Sequence, residues 1–274
     1  MAGLVPAIRV FRIAPSIDEK FMRAAQKRRE QIVIGLVVPF ATDEVPAEGP
    51  MMYPGVKFIP RGVGVRSLTP EGYDAAWNGI LPAALHLAKQ GVDAIMVIGT
   101  SLTFYRGYAA HQELLAKLRV ETGLSVSTMS AAVVEGLHSV GAKRIAVATA
   151  YADEVNNRLA DFLRQAGFEV LALEGFGLFG FGEPGTKSAD DIIELSGKAI
   201  AEAKTGAKAA DAVLISCGGL LTLGVAEPIE RRHGIPVVTS TQAAFWSAMR
   251  LAGDSGHVAG RGRMLGLAAP AAAH

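Results

Sequence analysis

The sequence predicts an α/β fold. It consists of two similar lobes related by a pseudo-twofold axis, each a short, mainly parallel sheet flanked by helices, with a cleft between them. Three observations carry this expectation. The first is an internal repeat. Asp93-Ala-Ile-Met-Val-Ile-Gly99-Thr100-Ser101-Leu102 aligns with Asp211-Ala-Val-Leu-Ile-Ser-Cys217-Gly218-Gly219-Leu220. Its flanks repeat as well: Gly123 to Ser130 with Gly234 to Thr241, and Ile34 to Phe40 with Ile145 to Tyr151. The second is the form of the repeated unit, a short apolar run ending in small residues, which reads as a buried parallel strand. The third is size: 274 residues, half of them hydrophobic, suffice for two lobes with a core each.

Residues 1–30 precede the repeat and carry the charged run Gln26-Lys-Arg-Arg-Glu30. They are read as a disordered or weakly helical extension. Lobe one spans 31–141, joined by a C-terminal helix over 242–253; lobe two spans 142–241; 254–274 is read as a flexible tail. Ile32 to Val38 is the first strand, stopped by Pro39. A loop rich in proline (Pro46, Pro50, Pro54) follows, and such loops often wall a binding site. Val56 to Val65 is β-like. Thr69-Pro70-Glu71 starts a helix with a hydroxyl cap, proline at the first position and a carboxylate at the positive end. That helix runs toward Gln90, kinked or broken at Pro82.

Asp93 to Ile98 is the next strand, and Leu102 to Thr122 is helical. Val126 to Thr128 is a short strand, with a helix over Ser130 to Val140. Lobe two opens with the strand Arg144 to Ala150, tipped by Tyr151. An amphipathic helix spans Asp153 to Gln165, a strand Phe168 to Leu173, and a helix Asp190 to Lys204. The Cys217 strand follows, then a helix over Leu220 to Arg232 broken at Pro228. Ile235 to Ser240 is the last strand, and Gln242 to Leu251 the last helix.

Charge balances to +1, which offers no field for nucleic acid or an anionic membrane. A single cysteine excludes an intrachain disulfide and any multi-cysteine metal site. The six histidines are scattered, and no metal motif appears. No apolar run spans a bilayer, and Arg9 and Arg12 interrupt the apolar start, unlike a secretory signal. The expectation is a soluble, cytoplasmic protein. Gly175-Phe-Gly177-Leu-Phe-Gly180 fits G-x-G-x-x-G, but loop residues follow it where a dinucleotide site needs a helix. The glycine-rich apolar loop reads instead as cover for a hydrophobic pocket.

A lone cysteine is ordinarily a small buried hydrophobe. The Gly218-Gly219 pair and the strand-end position, where α/β sheets bind ligands, favour a functional Cys217. Its partner in the repeat is Gly99, so one face of the cleft carries a thiol and the other none. Pro39, Thr100, Ser101, Tyr151, Cys217 and Gly218 gather at the strand tips. Hydroxyls and backbone N–H groups converging there can hold a carboxylate, and more strongly an enediolate. The thiol can give or take a proton at carbon, and a helix start after it would favour the thiolate left behind. Helix capping remains the plain alternative for Thr100 and Ser101, and a core ring for Tyr151.

Four segments carry a family resemblance: Gly99-Thr-Ser-Leu-Thr-Phe-Tyr-Arg-Gly107, Ala148-Thr-Ala-Tyr151, Ile215-Ser-Cys-Gly-Gly-Leu-Leu-Thr-Leu223 and Thr69-Pro-Glu-Gly-Tyr-Asp74. Over about Ile32 to Gly253 the chain resembles the arylmalonate decarboxylases, of the aspartate/glutamate racemase superfamily that includes the maleate isomerases. The resemblance implies two Rossmann-like lobes and a cofactor-free decarboxylation of a disubstituted malonate. One carboxylate would leave from an apolar pocket. The other would be held by Thr100, Ser101, Tyr151 and the Cys217-Gly218 backbone while Cys217 protonates one face. Val65, Leu68 and Tyr73 match positions that line the family's substrate region. Gly99, Leu102, Phe181, Pro184 and Gly219 complete the expected binding set. Racemases and isomerases carry a cysteine in each lobe; Gly99 fits the decarboxylase pattern. Phe40 replaces a second proline, and Phe181 and Pro184 stand where smaller or more flexible side chains are expected, narrowing the pocket. A racemase or isomerase of the superfamily and a non-catalytic binder of small acids are the alternative readings.

Overall fold

The computed structural model describes residues 31–204 and 208–267. The extension expected over 1–30 and the tail's last residues, 268–274, lie outside the described residues. Two four-stranded parallel sheets form the frame. The first holds β1 (Val33–Val38), β2 (Lys57–Gly62), β3 (Ala94–Val97) and β4 (Ser125–Thr128), in the order β2-β1-β3-β4. The second holds β5 (Arg144–Tyr151), β6 (Glu169–Leu178), β7 (Ala212–Ser216) and β8 (Val237–Thr239), in the order β6-β5-β7-β8. The central strands are apolar on both faces because helices cover both, so β1, β3 and β7 are buried almost throughout.

The repeat is carried by register and by side chains. Ile34 pairs with Ala94 in the first sheet, and its equivalent Ile145 pairs with Ala212 in the second. Asp93 accepts the Val33 amide at 2.8 Å, and Asp211 accepts the amides of Lys143 and Arg144 at 2.9 Å. Each aspartate thus ties the start of its own strand to the start of the sheet's central neighbour.

The helices are α1 (Glu48–Met52), α2 (Pro70–Ala88), α3 (Thr100–Phe104), α4 (Tyr108–Thr122), α5 (Met129–Ser139), α6 (Asp153–Gln165), α7 (Ala189–Glu202), α8 (Ala226–His233), α9 (Ser240–Leu251) and α10 (Arg263–Gly266). Thr128 and Thr239 occupy matching positions as side-chain N-caps of α5 and α9, accepting from Ala131 and Gln242. Gly123 and Gly234 close α4 and α8 in matching left-handed conformations. Helix α9 packs on α5, α1, β3 and β4 of the first lobe.

Several expectations need correction. Helix α2 continues through Pro82, because the buried residues Ile80, Ala83, Ala84 and Leu87 hold both halves against the sheet. The helix expected over Leu102 to Thr122 is divided at Gly107, whose φ of 87° leaves helical space. The proline-rich loop contains α1, and β6 runs on to Leu178, taking in the first glycines of the G-x-G-x-x-G segment. No helix starts directly after Cys217. Residues 217–225 form an irregular loop, and α8 begins only at Ala226, with Pro228 in its first turn, where no amide donor is needed. The tail is ordered as far as α10: Met264 and Leu265 are buried, and the Val258 amide donates to the Leu265 carbonyl at 2.9 Å. Among the described residues no helix is long and apolar enough to cross a membrane.

Candidate active site

The strand tips of both sheets face one cavity of about 240 Å³. The first lobe contributes Pro39 after β1, Val65, Leu68 and Tyr73, and the turn Gly99-Thr100-Ser101-Leu102 that opens α3. The second contributes Cys217, Gly218 and Gly219 after β7, with Phe181 and Pro184 from the loop after β6. Thus the residues singled out in the sequence come together, with one exception. Tyr151 does not line the cavity. It lies fully buried behind it, where Cys217, Tyr73, Ser216 and Ser101 are close enough to act on its phenol.

Cys217 is 5% exposed, and burial pushes its thiol pKa up, opposed by the Gly219 amide, which donates to Sγ at 3.4 Å. Burial thus favours the neutral thiol over the thiolate. The support expected for the thiolate from a helix start is absent, because the loop there is irregular; the Gly219 and Leu220 amides and the Tyr151 phenol act on the sulfur instead. Both glycines are tightly packed. A Cβ on Gly218 would come within 3.1 Å of Met129 Sδ, and one on Gly219 within 3.2 Å of Pro184 Cβ. Gly99 has φ 112°, a conformation L side chains rarely adopt.

The polar groups around the thiol divide into committed and free. The Thr100 hydroxyl donates to Ser240 Oγ at 2.8 Å, so its one proton is spent within the protein. This corrects the expectation of a free Thr100 hydroxyl. By contrast, the buried hydroxyls of Tyr73, Tyr151, Ser216 and Thr241 have no hydrogen-bond partner among the described residues. Four orphaned hydroxyls beside one cavity are costly unless a ligand or water meets them. Burial raises the phenol pKa of both Tyr73 and Tyr151, keeping each a donor.

Two loops roof the cavity from opposite lobes. Ser67 and Gly180 form an antiparallel bridge, the Leu68 amide donates to the Phe179 carbonyl at 3.0 Å, and the rings of Phe40 and Phe181 meet edge to face at 6.0 Å. The remaining wall is mostly apolar and includes Ile98, Leu220 and Leu221. Sequence reasoning missed Glu48 and Thr241, both of which line the cavity. Thr241 belongs to the repeated flank, aligned with Ser130, and that alignment was the available signal. Glu48 opens the short helix α1 within the proline-rich segment, and no spacing marks it. Among the described residues no cluster of His, Cys, Asp or Glu has the make-up of a metal site.

Comparison with known proteins agrees with this geometry. The family model for arylmalonate decarboxylase matches residues 34–265. Arylmalonate decarboxylase of Bordetella bronchiseptica is 43% identical over 220 residues, covering 80% of this chain and 90% of that protein. Maleate isomerase of Nocardia farcinica is 26% identical over 243 residues, covering 85% of this chain and 94% of that protein. A liganded arylmalonate decarboxylase variant, with a glycine-to-cysteine and a cysteine-to-serine change, superposes with a TM-score of 0.82 at 41% identity, covering 85% of this chain and 98% of that one. Maleate isomerase of Pseudomonas putida S16, at 20% identity and a TM-score of 0.78, shares the fold. On the match across 34–265 and the 43% identity, the chain belongs to the arylmalonate decarboxylase family.

Proposed function

We propose that the chain is a cofactor-independent carboxy-lyase that converts disubstituted arylmalonates to optically active 2-arylalkanoic acids. The observation that carries this reading is a single thiol, Cys217, on a cavity whose equivalent position in the other lobe is Gly99.

The leaving carboxylate would lie against the apolar wall of Val65, Leu68, Leu102 and Phe181, where a charge is poorly solvated and its loss as CO2 is favoured. The bond to that carboxylate breaks, and its electron pair moves into the retained carboxylate as an enediolate. Ser101, the amides of Thr100 and Gly218, and the unpartnered Tyr73 phenol on the cavity wall would be the donors for that charge, with the Tyr151 phenol buried behind them. One such donor is worth on the order of 3 kcal/mol in a transition state. The Cys217 thiol then gives its proton to the α-carbon from one side, and the resulting thiolate takes a proton from water. The balance is one proton consumed and one CO2 released per malonate. A two-base racemase would need a proton handler on each face, and Gly99 supplies none.

The test is to mix purified protein with 2-methyl-2-phenylmalonate, add no cofactor, and follow proton uptake and the 2-phenylpropionate formed. Turnover to one enantiomer supports the reading. Failure to turn over this or smaller malonates, in folded protein, contradicts it.

A further inference from the structure

We propose that Glu48 is a positioning residue for Cys217, holding from the first lobe the loop that carries the thiol in the second. The proposal rests on Cys217 as the proton donor.

The loop over 217–225 has no regular structure to fix it. Within itself it makes two turns, from the Leu220 amide to the Cys217 carbonyl and from the Val225 amide to the Thr222 carbonyl, both at 3.2 Å. Its outside anchor is Glu48. One carboxylate oxygen accepts the consecutive amides of Thr222, at 2.5 Å, and Leu223. The other accepts the Thr222 hydroxyl at 3.2 Å, and that hydroxyl lies 3.0 Å from Thr239, the cap of α9. Glu48 is 4% exposed and Thr222 1%. A carboxylate so buried is tolerated only because these donors meet it.

The anchor is itself fixed. Gly49 lies against the Phe245 ring so closely that a Cβ there would come within 2.3 Å of it, and Phe245 packs edge to face on Phe58 at 5.2 Å. Core packing therefore sets α1, α1 sets Glu48, and Glu48 sets the far end of the loop. The near end carries Cys217 and the Gly218 and Gly219 amides. Glu48 also reaches the cavity wall, so the strap crosses between lobes at the edge of the site.

The experiment compares parent, Glu48→Ala and Glu48→Gln as full chains. Cys217 is the only cysteine, so its alkylation by iodoacetamide is read by mass without ambiguity. Glu48→Ala leaves two amides unpaired; its alkylation should rise, and its kcat on 2-methyl-2-phenylmalonate fall, by at least about tenfold, with KM little changed. Its product should lose enantiomeric purity, because solvent competes with a misplaced thiol. Glu48→Gln keeps an oxygen for both amides and should stay within about threefold of the parent in both readouts. Parental alkylation in Glu48→Ala, or a Gln variant as impaired as the Ala one, overturns the proposal. If Glu48→Ala does not fold, Thr222→Val serves: it removes the hydroxyl's contacts with Glu48 and Thr239, and alkylation no faster than the parent's overturns the proposal equally. A parent inactive on every malonate would instead remove the decarboxylase reading, and the alkylation rates would still decide the role of Glu48.

Discussion

Gly99 and Cys217 hold the same position in the two lobes. Each lies six residues after an aspartate, Asp93 or Asp211, that caps the neighbouring strand, and both line one cavity. The fold thus offers two matching places for a thiol and fills one. Asymmetry at this pair, rather than any motif, is what the stereochemistry of the proposed reaction rests on.

Replacing Gly99 with cysteine should fill the second place. A side chain there meets φ 112° and a Leu102 Cβ at 3.2 Å, so Gly99→Cys should cost about 1–3 kcal/mol in urea unfolding. The folded variant should exchange the α-proton of 2-phenylpropionate with D2O and racemise it. Folded protein that does neither would break the two-face geometry.

The roof should set substrate size. Phe181→Val removes the ring that meets Phe40 and widens the cavity below. Its preference for a naphthyl over a phenyl malonate, as a ratio of kcat/KM values, should rise about tenfold or more. An unchanged ratio would show that the roof does not touch the aryl group.

Cys217 should also set the alkaline side of the pH profile. The proposed reaction needs the protonated thiol, and burial holds its pKa above the ordinary value. The rate should hold through the ordinary thiol range and fall only above it. A fall at or below that range would mean that another group titrates or that the thiolate is the active form.

His111 should shape stability in acid. It is buried beneath the α4 face, with Nε2 2.7 Å from the Thr128 hydroxyl and its ring edge-on to Phe162. Burial, with a smaller push from Arg119, holds its pKa down to about 4. The unfolded chain takes that proton below about pH 6.5, whereas the folded chain refuses it until about pH 4. The contribution is therefore full above pH 6.5 and is lost as pH falls, by about 2 kcal/mol between pH 7 and pH 5. Urea midpoints should fall less over that interval in His111→Gln than in the parent. Equal slopes would place the acid sensitivity elsewhere.

What was legible in the sequence follows from what repeats. The strands were found because a buried parallel strand is an apolar run bounded by small residues, and the Asp93 and Asp211 units came in duplicate. Cys217, Gly99 and their neighbours followed from strand-end position, and Pro39, Val65, Leu68 and Tyr73 fall on the same cavity. The misses are contacts between segments distant in the chain. Glu48 meets Thr222 across 174 residues, and no local pattern encodes that. The irregular loop after Cys217 resembles a helix in sequence because its apolar residues, Leu220 and Val225, are buried by tertiary packing and not by helical spacing. Helix α10 was read as tail because a Gly- and Ala-rich stretch shows few anchors, yet Met264 packs beside Gly136, within 2.8 Å of where a Cβ there would stand. The committed Thr100 hydroxyl likewise depends on Ser240, 140 residues away.

The central claim is that Cys217 delivers the proton. Parent and Cys217→Ala should be compared on 2-methyl-2-phenylmalonate without added cofactor, with thermal unfolding recorded for both. The variant should fold like the parent and lose at least about a thousandfold in rate. A folded Cys217→Ala protein that forms one enantiomer at the parental rate would contradict it.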